Sequence, residues 1–246
     1  MEIVNKVVML TGGARIGQEV AISLAQEGAS AFLLTYLTSE NVMKELANKL
    51  EDLGAKVILK QVDTSQETVV NEVIDLALAK FSKIDILLNM ASTYVARPTE
   101  NLTLADWQAD YNSNATNTFL CINKLAPIMR KQGEGRIINF VDWTVASRRT
   151  EYPGFVAYYA AKQAVIGLTE AFALEYAPEV LINSIAPGPI IPPVNLSPEL
   201  VTEVAAKTPL KRWGGASEIA EAVKFFIRTN FVTGECLRVD GGRHLL

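Results

Sequence analysis

The chain has 246 residues, of which 49% are hydrophobic and 20% charged, and a formal net charge of −4. That is ordinary for a globular protein with a sizeable core. Its basic residues are scattered, which argues against nucleic acid as a partner. No apolar run reaches the roughly 18 residues of a membrane span. Met1-Glu2 opens almost directly into an apolar run, so a cytoplasmic protein without a signal peptide is expected. The only histidine, His244, lies near the end of the sequence, and the two cysteines, Cys121 and Cys236, lack metal or redox spacing. A histidine-based metal site or triad is therefore excluded, no metal is expected, and two free thiols remain.

Val7–Leu10 is a short continuous apolar run, as in a strand buried on both faces of a parallel sheet. It stops at Thr11-Gly12-Gly13, and Ile16, Val20, Ile22, Leu24 and Ala25 follow at helical spacing. A strand, a glycine turn and a helix N-terminus make a place for an anion. Missing side chains at Gly12, Gly13 and Gly17 would let a pyrophosphate touch backbone. The spacing in TGGARIG is not G-x-G-x-x-G, and Arg15 stands where a middle glycine is usual.

The alternation continues to the end. Strands are predicted at Ser30–Tyr36, Lys56–Val62, Ile84–Met90, Arg136–Val141, Val180–Ile185 and Cys236–Val239. Helices are predicted at Asn41–Leu53, ended by Gly54, then from a capping box Thr64-x-x-Glu67 to Phe81. A second box, Thr103-x-x-Asp106, opens a helical region broken near Asn114 and running to Arg130. Phe155–Ala177, a short helix capped by Ser197-Pro198, and Ser217–Arg228 complete the set. No linker or repeat interrupts this pattern, so a single α/β domain over 1–246, one doubly wound parallel sheet, is expected.

In such a sheet the ligand crevice lies beyond the C-terminal strand ends. That points to Thr11–Gly17, Leu37–Ser39, Asp63, Asn89–Tyr94 with Ala91 among them, Asp142 and Pro187–Gly188. After the second strand come Tyr36, Leu37, Thr38 and Ser39, with no acid before Glu40. A carboxylate there would repel a ribose 2′-phosphate, so its absence favours NADPH over NADH, with Thr38, Ser39 and Arg15 as donors. Ser39 can equally cap the next helix. Asp63 can accept from an adenine amino group or serve the turn.

Tyr158 and Lys162 are four residues apart, on one helix face. An ammonium beside a phenol favours phenolate, lowering a tyrosine pKa toward working pH, as a proton donor in carbonyl or imine reduction requires. Lys162 can also hold the nicotinamide ribose.

TGGARIG, Asp63, Asn89, Asn114, Tyr158/Lys162 and Pro187-Gly188 together resemble the short-chain dehydrogenase/reductases over the full length. The resemblance implies a Rossmann-type sheet of about seven parallel strands, an NAD(P) cofactor held by residues including Ile16 and Gly17, and a homotetramer built on the last helices and strand. It also gives Asn114, seven residues after Trp107, a role in a water and lysine relay. Where the family has a substrate-polarising serine after GRIIN, this chain has Asp142. A carboxylate cannot donate to a ketone oxygen as a hydroxyl does. It can accept from substrate N–H groups or, buried and protonated, hand a proton to a ring nitrogen.

An aspartate there, an arginine matching Arg15 and an aromatic matching Tyr94 resemble the pteridine-reductase branch. There the arginine reaches phosphate and pterin, and the aromatic stacks on the pterin. The ending FVTGECLRVDGGRHLL looks like the bacterial dihydromonapterin reductases. Departures are Met90 for an asparagine, Thr38 for an NADPH-binding arginine, and a longer Asp142–Tyr158 loop. Arg148 and Arg149 in that loop suit an anionic substrate tail or an exposed basic surface. Six of the ten prolines fall between Pro187 and Pro209, where the family has its substrate loop, about 188–212, with Leu196–Pro209 its mobile part. Trp213 reads as packing.

The expectation is thus NADPH-dependent reduction of a pterin such as dihydrobiopterin or dihydromonapterin. Tyr158, Lys162, Asp142 and Asn114 would be catalytic, and Arg15, Tyr94, Asp142 and Tyr158 would meet substrate. The rivals are an NADPH-dependent carbonyl reductase acting on 3-oxoacyl groups or sugars, and a non-catalytic dinucleotide-binding protein.

Overall fold

In the computed structural model, which describes residues 1–246, seven parallel strands form one sheet in the order β3-β2-β1-β4-β5-β6-β7. The strands are β1 (Val7–Gly12), β2 (Ala31–Tyr36), β3 (Lys56–Gln61), β4 (Ile86–Met90), β5 (Gly135–Phe140), β6 (Val180–Pro187) and β7 (Cys236–Val239). The helices are α1 (Ile16–Gln26), α2 (Glu40–Asp52), α3 (Glu67–Phe81), α4 (Leu104–Tyr111), α5 (Asn117–Gln132), α6 (Trp143–Ala146), α7 (Val156–Tyr176), α8 (Pro198–Lys207) and α9 (Ala216–Arg228). No helix is long and apolar enough to cross a membrane.

Strand side chains alternate between two cores. Val8 and Leu10 of β1 join α1, α2 and α9 on one face, while Val7 and Met9 join α3 and α5 on the other. Both faces are covered, which is why the strands read as unbroken apolar runs. Because β2 and β4 flank β1 on opposite sides, the chain reverses its direction of travel across the sheet at the β1/β4 boundary. The loops part there and leave a crevice.

Two caps were legible and one was not. Thr103 and Asp106 form a reciprocal box at α4, and Ser197 accepts from Leu200 N–H with Pro198 in the first turn of α8. The box expected at Thr64 does not form: α3 starts at Glu67 behind Gln66. Asp63 takes the Ser65 N–H at 2.9 Å instead, a shorter-range contact that sets the turn first. Ser39 stands at the N-cap of α2 but makes no side-chain cap bond. The break near Asn114 is a π-helical turn, Asn112–Thr116, joining α4 to α5. Helix α6 lies within the expected loop after Asp142, whose Oδ1 caps it through Thr144 N–H at 2.8 Å.

Candidate active site

A cavity of about 1040 Å³ runs along the C-terminal strand ends from Asp63 and Thr38 to Asp142 and Tyr158. At its floor lie the glycines of the β1–α1 turn. Gly12 has φ +63°, and a Cβ there would come 2.7 Å from Ala91 Cα. The ends of β1 and β4 therefore approach backbone to backbone, as a side chain at Gly12 would forbid. Gly17 does a different job. It faces Met90 Sδ rather than the cavity, and its Cβ would lie 3.2 Å from that sulfur. The cap of α1, Arg15, makes no side-chain cap bond, so the first-turn N–H groups next to the cavity stay available for an anion.

Tyr36, Thr38, Ser39 and Asp63 line the far end, with Ile16, Ala91, Pro187 and Gly188 along the walls. Asp63 closes its turn, and it also lines the cavity. Glu40 is occupied with Lys44 at 2.7 Å. Asn89, expected at the cofactor, is not on the cavity wall. Its amide donates to Asn139 Oδ1 at 2.9 Å inside the sheet, tying β4 to β5.

Arg15 lines the cavity beside the glycine turn, at the wall formed by Ile191. Its guanidinium donates to the carbonyls of Ile191 and Pro192 at 3.0 and 3.1 Å, clasping the segment that follows β6. Arg149 is also used internally, on Glu151 and on His244 O, so it does not offer itself to a substrate tail. Trp213 donates to Val201 O, as packing requires, and also lines the cavity.

At the reacting end, Tyr158 is 5% exposed and donates to Asp142 Oδ2 at 3.1 Å. Asp142 Oδ1 accepts from Thr144 N–H and from its hydroxyl at 2.6 Å, so both carboxylate oxygens act as acceptors. Burial first, and the Asp142 charge second, push the Tyr158 phenol well above its ordinary range. That corrects the expectation of a phenol acidified by Lys162. The ammonium lies 5.9 Å from the ring centroid and donates instead to Phe140 O at 2.8 Å. Burial lowers the Lys162 pKa to about 8.

Asn114 is fully buried in the π-turn. Its Oδ1 accepts from Ser92 Oγ at 2.5 Å and its amide donates to Asp110 O at 2.9 Å, so it braces the loop after β4 rather than touching Lys162. Asn117, three residues on, does line the cavity and donates to Ala91 O at 3.1 Å, and no sequence pattern signalled that. Tyr94 lines the cavity as expected. It stacks on Phe155 at 4.1 Å and meets Tyr158 edge-on at 4.8 Å, so one of its faces is already covered.

A family model described as Enoyl-(Acyl carrier protein) reductase matches residues 13–244. The chain is a short-chain dehydrogenase/reductase. Two relatives are named 3-oxoacyl-[acyl-carrier-protein] reductase. One, from Synechocystis, is 33% identical over 96% of each chain. The other, from Staphylococcus epidermidis, is 30% identical over 98% of this chain and all of its own. A Serratia marcescens short-chain dehydrogenase/reductase superposes with a TM-score of 0.90 at 28% identity, covering 99% of this chain and 100% of its own. A blue fluorescent protein from a metagenomic library, in complex with NADPH, matches at 0.87 and 29% identity over 99% of both. An NAD+-bound xylitol dehydrogenase matches at 0.88 and 26% identity, over 98% of this chain and 100% of its own.

This short-chain dehydrogenase/reductase is therefore an NAD(P)-dependent oxidoreductase, and the non-catalytic reading falls away. The relatives' names agree with the carbonyl-reductase expectation better than with the pteridine-reductase one. The residues present fit the cofactor: Gly12 and Gly13 line the cavity without side chains, and the uncapped N-terminus of α1 adjoins them, as a pyrophosphate requires. Tyr36, Thr38, Ser39 and Asp63 would hold the adenosine half, and Ala91, Pro187, Gly188 and Asn117 the nicotinamide half.

Proposed function

We propose that the enzyme uses NADPH to reduce a C=N bond in a pterin, a flat heterocycle rich in N–H donors. The observation that supports this is Asp142, which puts two acceptor oxygens where a ketone oxygen would need a donor. A ring N–H or amino group can bind there; a carbonyl oxygen is repelled. When bound, the cofactor supplies a hydride to the ring carbon. The nitrogen that gains the electron pair is far more basic than phenolate, so Tyr158 can protonate it even with its own pKa raised. Lys162, buried nearby, offsets the negative charge left on Tyr158. Tyr94 offers its uncovered face for stacking.

The carbonyl reading, reduction of a 3-oxoacyl thioester, is favoured by the names of the two relatives. Asp142→Ser separates the two. It should cut kcat/KM for dihydropterin by about 10²-fold, the scale of a lost charge-assisted hydrogen bond, while leaving or improving acetoacetyl thioester reduction. Wild-type enzyme that oxidises NADPH with the thioester and never with dihydrobiopterin or dihydromonapterin would remove the pterin reading.

NADPH is proposed over NADH because Leu37, Thr38 and Ser39 bring no carboxylate to the far end and Glu40 is neutralised by Lys44. Parallel titration with both nucleotides tests it, and tighter NADH binding refutes it. A cytoplasmic homotetramer belongs to the same proposal and rests on the family resemblance. A solution mass near the 26.9 kDa of one chain would dismiss the tetramer.

A further inference from the structure

The segment after β7, Asp240–His244, plays no part in the chemistry above, yet it is tightly built. Asp240 is 5% exposed and accepts from Gly242 N–H, His244 N–H and His244 Nδ1 at 2.9, 3.0 and 2.7 Å. It also lies so close to Gly188 that a Cβ there would come 2.5 Å from Asp240 Cβ. This turn fixes the direction of Arg243.

Arg243 makes three contacts, with Trp143, which lines the cavity, and with Glu151 and Lys207, which lie on segments that border it through Tyr152, Leu200 and Val204. Its guanidinium carbon lies 5.8 Å from the ring centroid of Trp143, the residue after Asp142. Nη2 pairs with Glu151 at 3.5 Å, farther along the same loop, and the side chain is only 13% exposed. Nη1 donates at 2.9 Å to the carbonyl of Lys207, the last residue of α8. Carbonyls at a helix C-terminus lack intrahelical partners and carry partial negative charge, so a cation there is favoured twice over. Leu200 and Val204 of α8 line the cavity from one side, and Asp142 and Trp143 from the other. One guanidinium thus ties the lid helix to the loop that carries Asp142, and a flat fork of donors suits three such partners better than an ammonium would.

We propose that Arg243 is a positioning residue for substrate, holding α8 closed against the Asp142 loop and so setting the width of the substrate end of the cavity. It touches no reacting atom. The idea rests on the cavity being the substrate site, and not on which substrate is used.

The test compares full-length wild type with Arg243→Gln, Arg243→Lys and Glu151→Gln. Arg243→Gln should raise substrate KM about tenfold with kcat changed less than about threefold, measured with whichever of dihydropterin and acetoacetyl thioester is turned over. NADPH affinity, read by nucleotide fluorescence, should change less than about threefold, since Arg243 itself does not line the cavity. Protease cleavage within 188–212 should be faster. Arg243→Lys should recover part of the KM, and Glu151→Gln should give a smaller rise of the same kind. Wild-type KM and cleavage rate in folded Arg243→Gln would overturn the proposal. So would a raised KM accompanied by a fall in kcat, NADPH affinity and melting temperature together, which marks general loosening. If Arg243→Gln does not fold, Glu151→Gln decides by the same KM and cleavage readouts. If neither substrate is turned over, the pterin and thioester readings fail, while cleavage and NADPH titration still judge Arg243.

Discussion

Tyr158 stands between an anion and a cation, and distance decides which governs it. Asp142 accepts its hydrogen bond at 3.1 Å, whereas the Lys162 ammonium is 5.9 Å from the ring and bound to Phe140 O. The phenol is accordingly held in its protonated form, ready to give a proton. Tyr158→Phe removes that proton and should lower kcat by about 10²–10⁴-fold with NADPH binding retained, as fluorescence titration and steady-state rates will read. The pH profile follows from the same geometry. Lys162 is charged below about pH 8 and neutral above it. Since the free enzyme's titrating groups shape kcat/KM, reduction should fall as pH rises through about 8, on account of the lysine and not the tyrosine. In Lys162→Arg, whose guanidinium does not titrate, whatever activity remains should run flat through that range. A falling limb that survives this substitution would give the titration to another group.

At the scale of elements, the β1–α1 turn is the most constrained piece. Gly12 has φ +63° and sits against Ala91 Cα, so Gly12→Ala adds backbone strain of about 1–3 kcal/mol and a contact that only a shift can relieve. It should lower the urea midpoint and weaken NADPH binding together. A variant that melted and bound like wild type would show that the turn does not need this glycine. Caps show why some local signals are legible and others not. The Thr103–Asp106 box and the Ser197 cap need only residues within one turn, and both form. The Thr64 box was equally local, but Asp63 closes a turn on Ser65 N–H and α3 starts only at Glu67, so Thr64 does not take the N-cap position that the box needs. Helix α6 escaped notice because four residues are too few to show a period.

Across the whole molecule, two arginines distant in sequence grip the segment between β6 and α9, Arg15 at Ile191–Pro192 and Arg243 at Lys207. The sequence by itself determined the parallel sheet, the crevice at its C-terminal edge, and the tyrosine and aspartate that meet there. Apolar runs, helical spacing and four-residue intervals are local properties of a chain. Tertiary structure alone decided which neighbour each polar group took. Asn89 turned into the sheet toward Asn139, Asn117 came to face the cavity, and Lys162 found a carbonyl instead of the phenol. A buried polar atom bonds whatever donor or acceptor the fold brings within about 3 Å, and that partner is set by how strands and helices pack, far from it in sequence.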